Sequence, residues 1–197
     1  MKEKFLNSTI GFLSKYNSYS NDELKKLRYG LEGIYLTLTK TVVILLVAIL
    51  LNIFVEVIIG IALFNIIRYF AFGFHAEKSS ECLILSLFNF ILIPYFFLTI
   101  DNSLWINFVI CMVCLLLILL FAPADTIKRP LKNKKKRIVR KILTFITGLI
   151  YTLLILLLNK YMISDLLLSS LIMTIIVICP TTYMFFRQPY NNYKNIN

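Results

Sequence analysis

Charged side chains are scarce in this chain: they make up 16% of its 197 residues, against 59% hydrophobic ones. That leaves too little polar surface to cover a water-soluble fold, and a mean hydropathy of +0.80 excludes an ordinary soluble globule. Acidic residues are scarcer still, 10 against 21 lysines and arginines, and few fall inside the apolar runs. Coupled transporters mark their pathways with intramembrane carboxylates, so this scarcity weighs against a transporter or channel subunit built around Arg68, Glu56 and Asn65. Histidine occurs once. A zinc site takes three or four ligands, so a single histidine argues against a metal centre, and no cofactor motif is present. Also missing are a convincing internal repeat and, near the start of the chain, the compact apolar stretch and cleavage site of a signal peptide.

What the chain has instead is long apolar runs. Residues 34–52, 54–72, 82–99, 104–121, 142–159 and 166–186 each supply close to the ~20 apolar residues that cross a bilayer. They predict an all-α, polytopic transmembrane helix bundle of six spans. Asn52 alone separates the first two, which read as a tight helical hairpin, and Pro94 and Pro180 each remove a helical hydrogen bond and predict kinks in the third and sixth. Every lysine and arginine except Lys160 falls before or at the start of the first span, at the end of the second (Arg68), or in the connections and tail on the same side. By the positive-inside rule both termini, the connection over 73–82 and the basic loop over 122–141 are expected to be cytoplasmic.

The predicted organisation is therefore a cytoplasmic or interfacial region over 1–33, a six-span domain over 34–186 and a cytoplasmic tail over 187–197. In the first region Phe5, Leu6, Ile10, Phe12, Leu13 and Tyr16 recur at helical spacing and predict an amphipathic interfacial helix. Ser20-Asn-Asp-Glu23 matches a capping box for a helix that runs on into the first span. The net charge of +11, on a chain with such long apolar segments, points to anionic lipid or an acidic peptide as partner rather than to nucleic acid.

Chemistry concentrates in Arg68-Tyr-Phe-Ala-Phe-Gly73-Phe-His75-Ala-Glu-Lys-Ser-Ser-Glu-Cys82. A thiol and the only imidazole on one short polar connection suggest a cysteine nucleophile and its general base. On a continuous helix, seven residues would separate them by about 10 Å along the axis, too far for proton transfer. Gly73 permits an unusual backbone angle before His75, and Ser79 or Ser80 can cap a helix that begins near Glu81. Cys82 would then stand in the first turn, where the helix dipole and free N–H groups favour a thiolate. Glu77, Glu81 and Asp125 are all candidates to orient the imidazole. The alternative is a small packing cysteine beside a loop histidine. Cys111 and Cys114 form a C-x-x-C pair inside the fourth span, where two packing residues are expected rather than a redox pair, and Cys179 reads the same way.

The pattern Arg68-x4-Gly73-x-His75-Ala-x5-Cys82 resembles the core motif of the accessory gene regulator B family of membrane cysteine endopeptidases. Tyr29-Gly-Leu-Glu32 and Ala122-Pro-Ala-Asp-Thr-Ile-Lys-Arg-Pro130 agree with it. Phe72 departs from the small residue many relatives carry before the glycine. The resemblance implies a multi-pass protein of a bacterial plasma membrane that processes a small quorum-sensing propeptide. It implies Cys82 as nucleophile and His75 as proton carrier, with Arg68 and Gly73 in support and no cofactor. The product would be a thiolactone or lactone macrocycle. It further implies Lys128 and Arg129 as a dock for the propeptide's acidic C-terminal tail. A homodimer is compatible with the sequence. A small membrane transporter or channel subunit is the main alternative, and a membrane scaffold that recruits a partner through the basic loop is a third reading.

Overall fold

The computed structural model describes residues 2–17, 19–74, 76, 79–126 and 130–195. The chain divides into two compact units, Met1–Val47 and Ala48–Asn197.

In the first unit, α1 (Lys2–Leu13) packs on the N-terminal half of α2 (Asn21–Leu50). Lys2 pairs with Glu32 and Arg28 with Glu3, and the Phe5 and Tyr35 rings meet at 5.3 Å between centroids. Exposed ion pairs contribute only about 0–1 kcal/mol each; Leu6 of α1 is fully buried. The capping box forms as the sequence predicts. Ser20 donates its backbone N–H to Glu23 Oε2 at 2.8 Å, and Glu23 returns its N–H to Ser20 Oγ at 3.4 Å. The helix that starts there runs without interruption to Leu50, well before and through the predicted first span.

The second unit is a helix bundle. It opens on the end of α2, where Asn52 adopts φ 57. The N–H of Ile53 reaches the Ala48 carbonyl and that of Asn52 the Ile49 carbonyl, a Schellman closure with asparagine in the left-handed position. Then come α3 (Phe54–Ala71), α4 (Ser79–Leu87), a π-helical turn (Phe88–Leu92), α5 (Ile93–Thr99), α6 (Leu104–Phe121), α7 (Lys134–Leu157), α8 (Met162–Ile178), α9 (Pro180–Phe185) and a 3-10 turn (Asn192–Asn195). Among the described residues there is no strand, and Phe72 and Ala124 form an isolated bridge.

Helix α8 is central. It packs on α3, α5, α6 and α7, and α7 packs in turn on α3 and α6. A helix apolar on all sides belongs in such an interior. Its polar residues are silenced locally: Ser170 Oγ donates to the Leu166 carbonyl and Thr174 Oγ1 to the Ser170 carbonyl, both at 2.8 Å. Small side chains let the neighbouring helices approach closely. Tyr151 on α7 donates its hydroxyl to the Leu63 carbonyl of α3 at 2.8 Å, a long-range tie within the bundle.

Among the described residues five helices are long and apolar enough to cross a membrane, with Ser80–Thr99 (α4 through α5) counted as one, and Met162–Ile178 is a shorter apolar sixth. Their outward faces are apolar as well: Leu116 is 56% and Leu120 61% exposed on α6. Apolar faces of that extent are stable only against lipid. The protein is an all-α, polytopic membrane protein.

Several boundaries differ from those expected. The sixth span does not bend at Pro180 but stops at Ile178; Cys179 is extended (ψ 134) and Pro180 opens α9, because a residue before proline is pushed out of the helical region. In the third span the apolar helix widens into the π turn just ahead of Pro94, and the Ile93 N–H skips to the Phe88 carbonyl. Proline supplies no N–H and crowds the carbonyl four residues back, which a wider turn relieves. From Lys134 onward the predicted basic loop is helix. Asn133 accepts the Lys136 N–H on its side chain as the cap, and lysine and arginine are good helix formers.

Candidate functional site

The site is assembled where α3 ends. After Ala71 the backbone turns sharply: Phe72 has φ 60 and Gly73 φ 113. Hydrogen bonds to two distant segments hold this turn. Gly73 donates its N–H to the Ala124 carbonyl at 2.8 Å, and Ala124 donates back to the Ala71 carbonyl at 3.0 Å. Phe74 then donates to the Val177 carbonyl at 2.6 Å, at the C-terminal end of α8. A Cβ at position 73 would lie 2.8 Å from the Val177 oxygen and 2.9 Å from Val177 Cγ2. Glycine is therefore required twice over, for the angle and for the close approach.

The Phe74 side chain locks this strand-like stretch into the core. It is 1% exposed, stacks on Phe186 at 4.7 Å and meets Tyr183 edge-on at 5.6 Å. Arg68, one turn before the end of α3, donates from Nη2 to the Phe74 carbonyl at 3.0 Å and lies over the Phe64 ring. The same guanidinium is in electrostatic range of the Cys82 thiol and the Tyr183 hydroxyl. Arg68 thus does two things. It fixes the backbone that leads into residue 75, and it brings positive charge to the thiol.

Cys82 is partly buried and is the fourth residue of α4, at the end of its first turn. The helix begins at Ser79, two residues before the start near Glu81 that the sequence suggested, so Ser80 lies inside it. The thiol is still within the reach of the N-terminal dipole. The described residues between Ala71 and Ser79 are not helical. His75, Glu77, Lys128 and Arg129 lie outside the described residues.

Of the carboxylates proposed to orient an imidazole, Asp125 has another task. It is 1% exposed and accepts three backbone N–H groups: Asn192 on Oδ1 at 2.9 Å, Tyr193 on Oδ2 at 2.9 Å and Leu131 on Oδ2 at 3.2 Å. Its own backbone carbonyl accepts the Tyr183 hydroxyl at 3.0 Å. Asp125 anchors the C-terminal segment beside the segment that pairs with Gly73. Tyr190 strengthens the anchor by donating its hydroxyl to the Phe121 carbonyl. Burial, the first of its causes, pushes the Tyr190 phenol up to about 12, so it stays a neutral donor at physiological pH.

Arg137 lies 3.7 Å over the Tyr193 ring. Arg140 donates to the Tyr69 carbonyl at 2.8 Å and covers the Phe72 ring at 4.1 Å. Part of the basic cluster is thus built into the site's framework. Cys111 and Cys114 are buried in the bundle core, as packing residues are. Glu56 sits in the first turn of α3, where a carboxylate complements the helix dipole.

Sequence reasoning singled out Arg68, Gly73, Cys82 and the segment from Ala122 to Asp125, and the structure brings the last of these against Gly73. It missed Val177, Tyr183, Phe186 and the anchored tail. The first three lie within or beside an apolar run that signals only membrane, and a backbone N–H donor leaves no mark in the sequence.

Comparison with known proteins places this geometry in context. Residues 6–178 match the family described as accessory gene regulator B. A protein named AgrB-like from Clostridium acetobutylicum is 32% identical over 184 residues, covering 92% of this chain and 87% of the relative. Another AgrB-like protein, from Listeria monocytogenes serotype 4a, is 31% identical over 169 residues, covering 86% and 83%. The accessory gene regulator protein B of Staphylococcus saprophyticus is 31% identical over 161 residues, covering 80% and 85%. No solved structure matches the chain.

Proposed function

The chain belongs to the accessory gene regulator B family, and from that premise we propose that it is a membrane cysteine endopeptidase of quorum sensing. Its substrate is a small propeptide with an acidic C-terminal tail, and its nucleophile is Cys82. The observation that carries this reading is the setting of Cys82: a partly exposed thiol in the first turn of a helix, with the Arg68 guanidinium in electrostatic range.

In the proposed reaction His75 takes the Cys82 proton, and the sulfur attacks the scissile carbonyl carbon. The C–N bond breaks, the leaving amine takes the proton from His75, and the peptide remains on Cys82 as a thioester. A cysteine or serine side chain of the bound peptide then attacks the same carbon. Its proton passes through His75 to the departing Cys82 sulfur, and the ring closes as a thiolactone or lactone. Thioester exchange conserves the acyl-transfer potential that hydrolysis would lose, so a site that excludes water favours cyclisation. Lys128 and Arg129 are the proposed dock for the acidic tail. The distribution of lysine and arginine supports a cytoplasmic position for the site and both termini at a bacterial plasma membrane.

Membranes carrying the wild-type chain or Cys82→Ala, mixed with a candidate propeptide, provide the test by intact mass spectrometry. The expected result is loss of the peptide tail with an acyl adduct on the wild-type protein, and neither with the variant. Equal processing by both would remove Cys82 from the chemistry.

A further inference from the structure

A cavity of about 420 Å³ lies where α6 ends and α7 begins, with the C-terminal segment as its third wall. Arg137 and Lys141 contribute cations and Tyr190 and Tyr193 phenol rings, while Leu120 and Ile138 supply apolar surface. Arg137 and Lys141 are four residues apart on α7, so they share a helix face one turn apart. None of the described residues lining the cavity is acidic. Asp125, the carboxylate nearest in sequence, is committed to the Leu131, Asn192 and Tyr193 N–H groups. The cavity is therefore positive and its tail wall is anchored. Arg137 Cζ lies 3.7 Å over the Tyr193 ring, and a guanidinium presents a planar fork of N–H donors that suits a phosphate.

The rim decides which anion fits. Leu120 is 61% and Ile138 49% exposed, and each continues an apolar stripe, through Leu116 (56%) on α6 and Ile142 (52%) on α7. Both helices are long and apolar enough to cross a membrane, so these stripes face acyl chains. The cavity stands where the apolar run of α6 gives way to the cationic start of α7, which is headgroup depth. A soluble acidic peptide would satisfy the cations and leave the stripes unused, whereas a phospholipid satisfies both.

We propose that this cavity binds the phosphate headgroup of an anionic phospholipid, with its acyl chains along the Leu116–Leu120 and Ile138–Ile142 stripes. The cavity shares Arg137 and the anchored tail with the framework around Gly73, but its lining does not include Cys82 and the proposal stands whether or not the chemistry there is confirmed.

The test uses the full chain in detergent, with phosphatidylglycerol or phosphatidylcholine of identical acyl chains titrated in and counted by native mass spectrometry. The wild type is expected to retain one phosphatidylglycerol in preference to phosphatidylcholine. A cation at a membrane surface contributes about fivefold to anionic-lipid affinity, so Lys141→Gln should weaken retention about fivefold and Arg137→Gln with Lys141→Gln about 30-fold. Lys141→Gln leaves the Arg137–Tyr193 stack in place and so guards against misfolding of the double variant. The exposed pair Lys134→Gln with Lys135→Gln should bind like the wild type. Equal retention of the two lipids would overturn the proposal, as would equal losses from the cavity pair and the exposed pair. Displacement of the bound lipid by an acidic peptide would assign the cavity to peptide and overturn it as well.

Discussion

Gly73 shows how much one residue can carry. Its φ of 113 is closed to other residues at a cost of about 1–3 kcal/mol, and its missing side chain admits the Val177 carbonyl. Gly73→Ala is expected to lower the thermal midpoint in detergent and to cut propeptide processing, since the same turn holds Phe74 against Val177. Adding Val177→Ala should restore little, because it removes Cγ2 and leaves the backbone oxygen in place. Full rescue by that second change would show that side-chain crowding, and not the backbone, fixes position 73. Arg68 is the companion case. A long arginine at the end of a membrane helix has the ordinary reading of an interface anchor, yet its fork reaches the Phe74 carbonyl while its charge reaches Cys82.

Among the elements, the C-terminal segment has the least sequence signal and the most structural consequence. Three backbone N–H groups converge on the buried Asp125 carboxylate, and Tyr183 and Phe186, just ahead of that segment, pack on Phe74. Asp125→Ala would strand those donors, at about 1–3 kcal/mol for each one left buried. Limited proteolysis is expected to release residues 187–197 from the Asp125→Ala protein and not from the wild type, and processing should fall with it. Asp125→Asn keeps one acceptor oxygen and should lie between the two. Unchanged protection in Asp125→Ala would show that the tail is held by other contacts. The π turn before Pro94 is a second element-level adjustment, a local widening that keeps the apolar helix going past a residue unable to donate.

At the scale of the whole molecule the bundle depends on α8, the helix with neighbours on α3, α5, α6 and α7. Its Val177 carbonyl also holds the turn that carries the site, so core packing and site geometry are coupled through one helix. Ser170 is fully buried in it. Ser170→Leu would overpack this contact, at a cost of about 1–3 kcal/mol. The expected result is a lower thermal midpoint together with reduced processing by a protein that still inserts. A lower midpoint with full activity would separate core packing from the site.

What the sequence determined by itself is the solvent and the grammar of the fold. Charge was too scarce for water, apolar runs were long enough for lipid, and Ser20 with Glu23 fixed where α2 begins. Asn52 fixed where α2 turns, and the spacing around Gly73 and Cys82 marked a site and a family. Composition aside, these signals are local: each rests on residues in one continuous stretch of chain. The tertiary structure decided which distant groups complete the site. Val177, Tyr183 and Asp125 act through backbone carbonyls, a hydroxyl and N–H groups presented by other elements, and their partners are separated from them by many residues in the chain. Apolar periodicity cannot rank the faces of a helix that is apolar all round, so the central place of α8 was invisible until the other helices were packed against it.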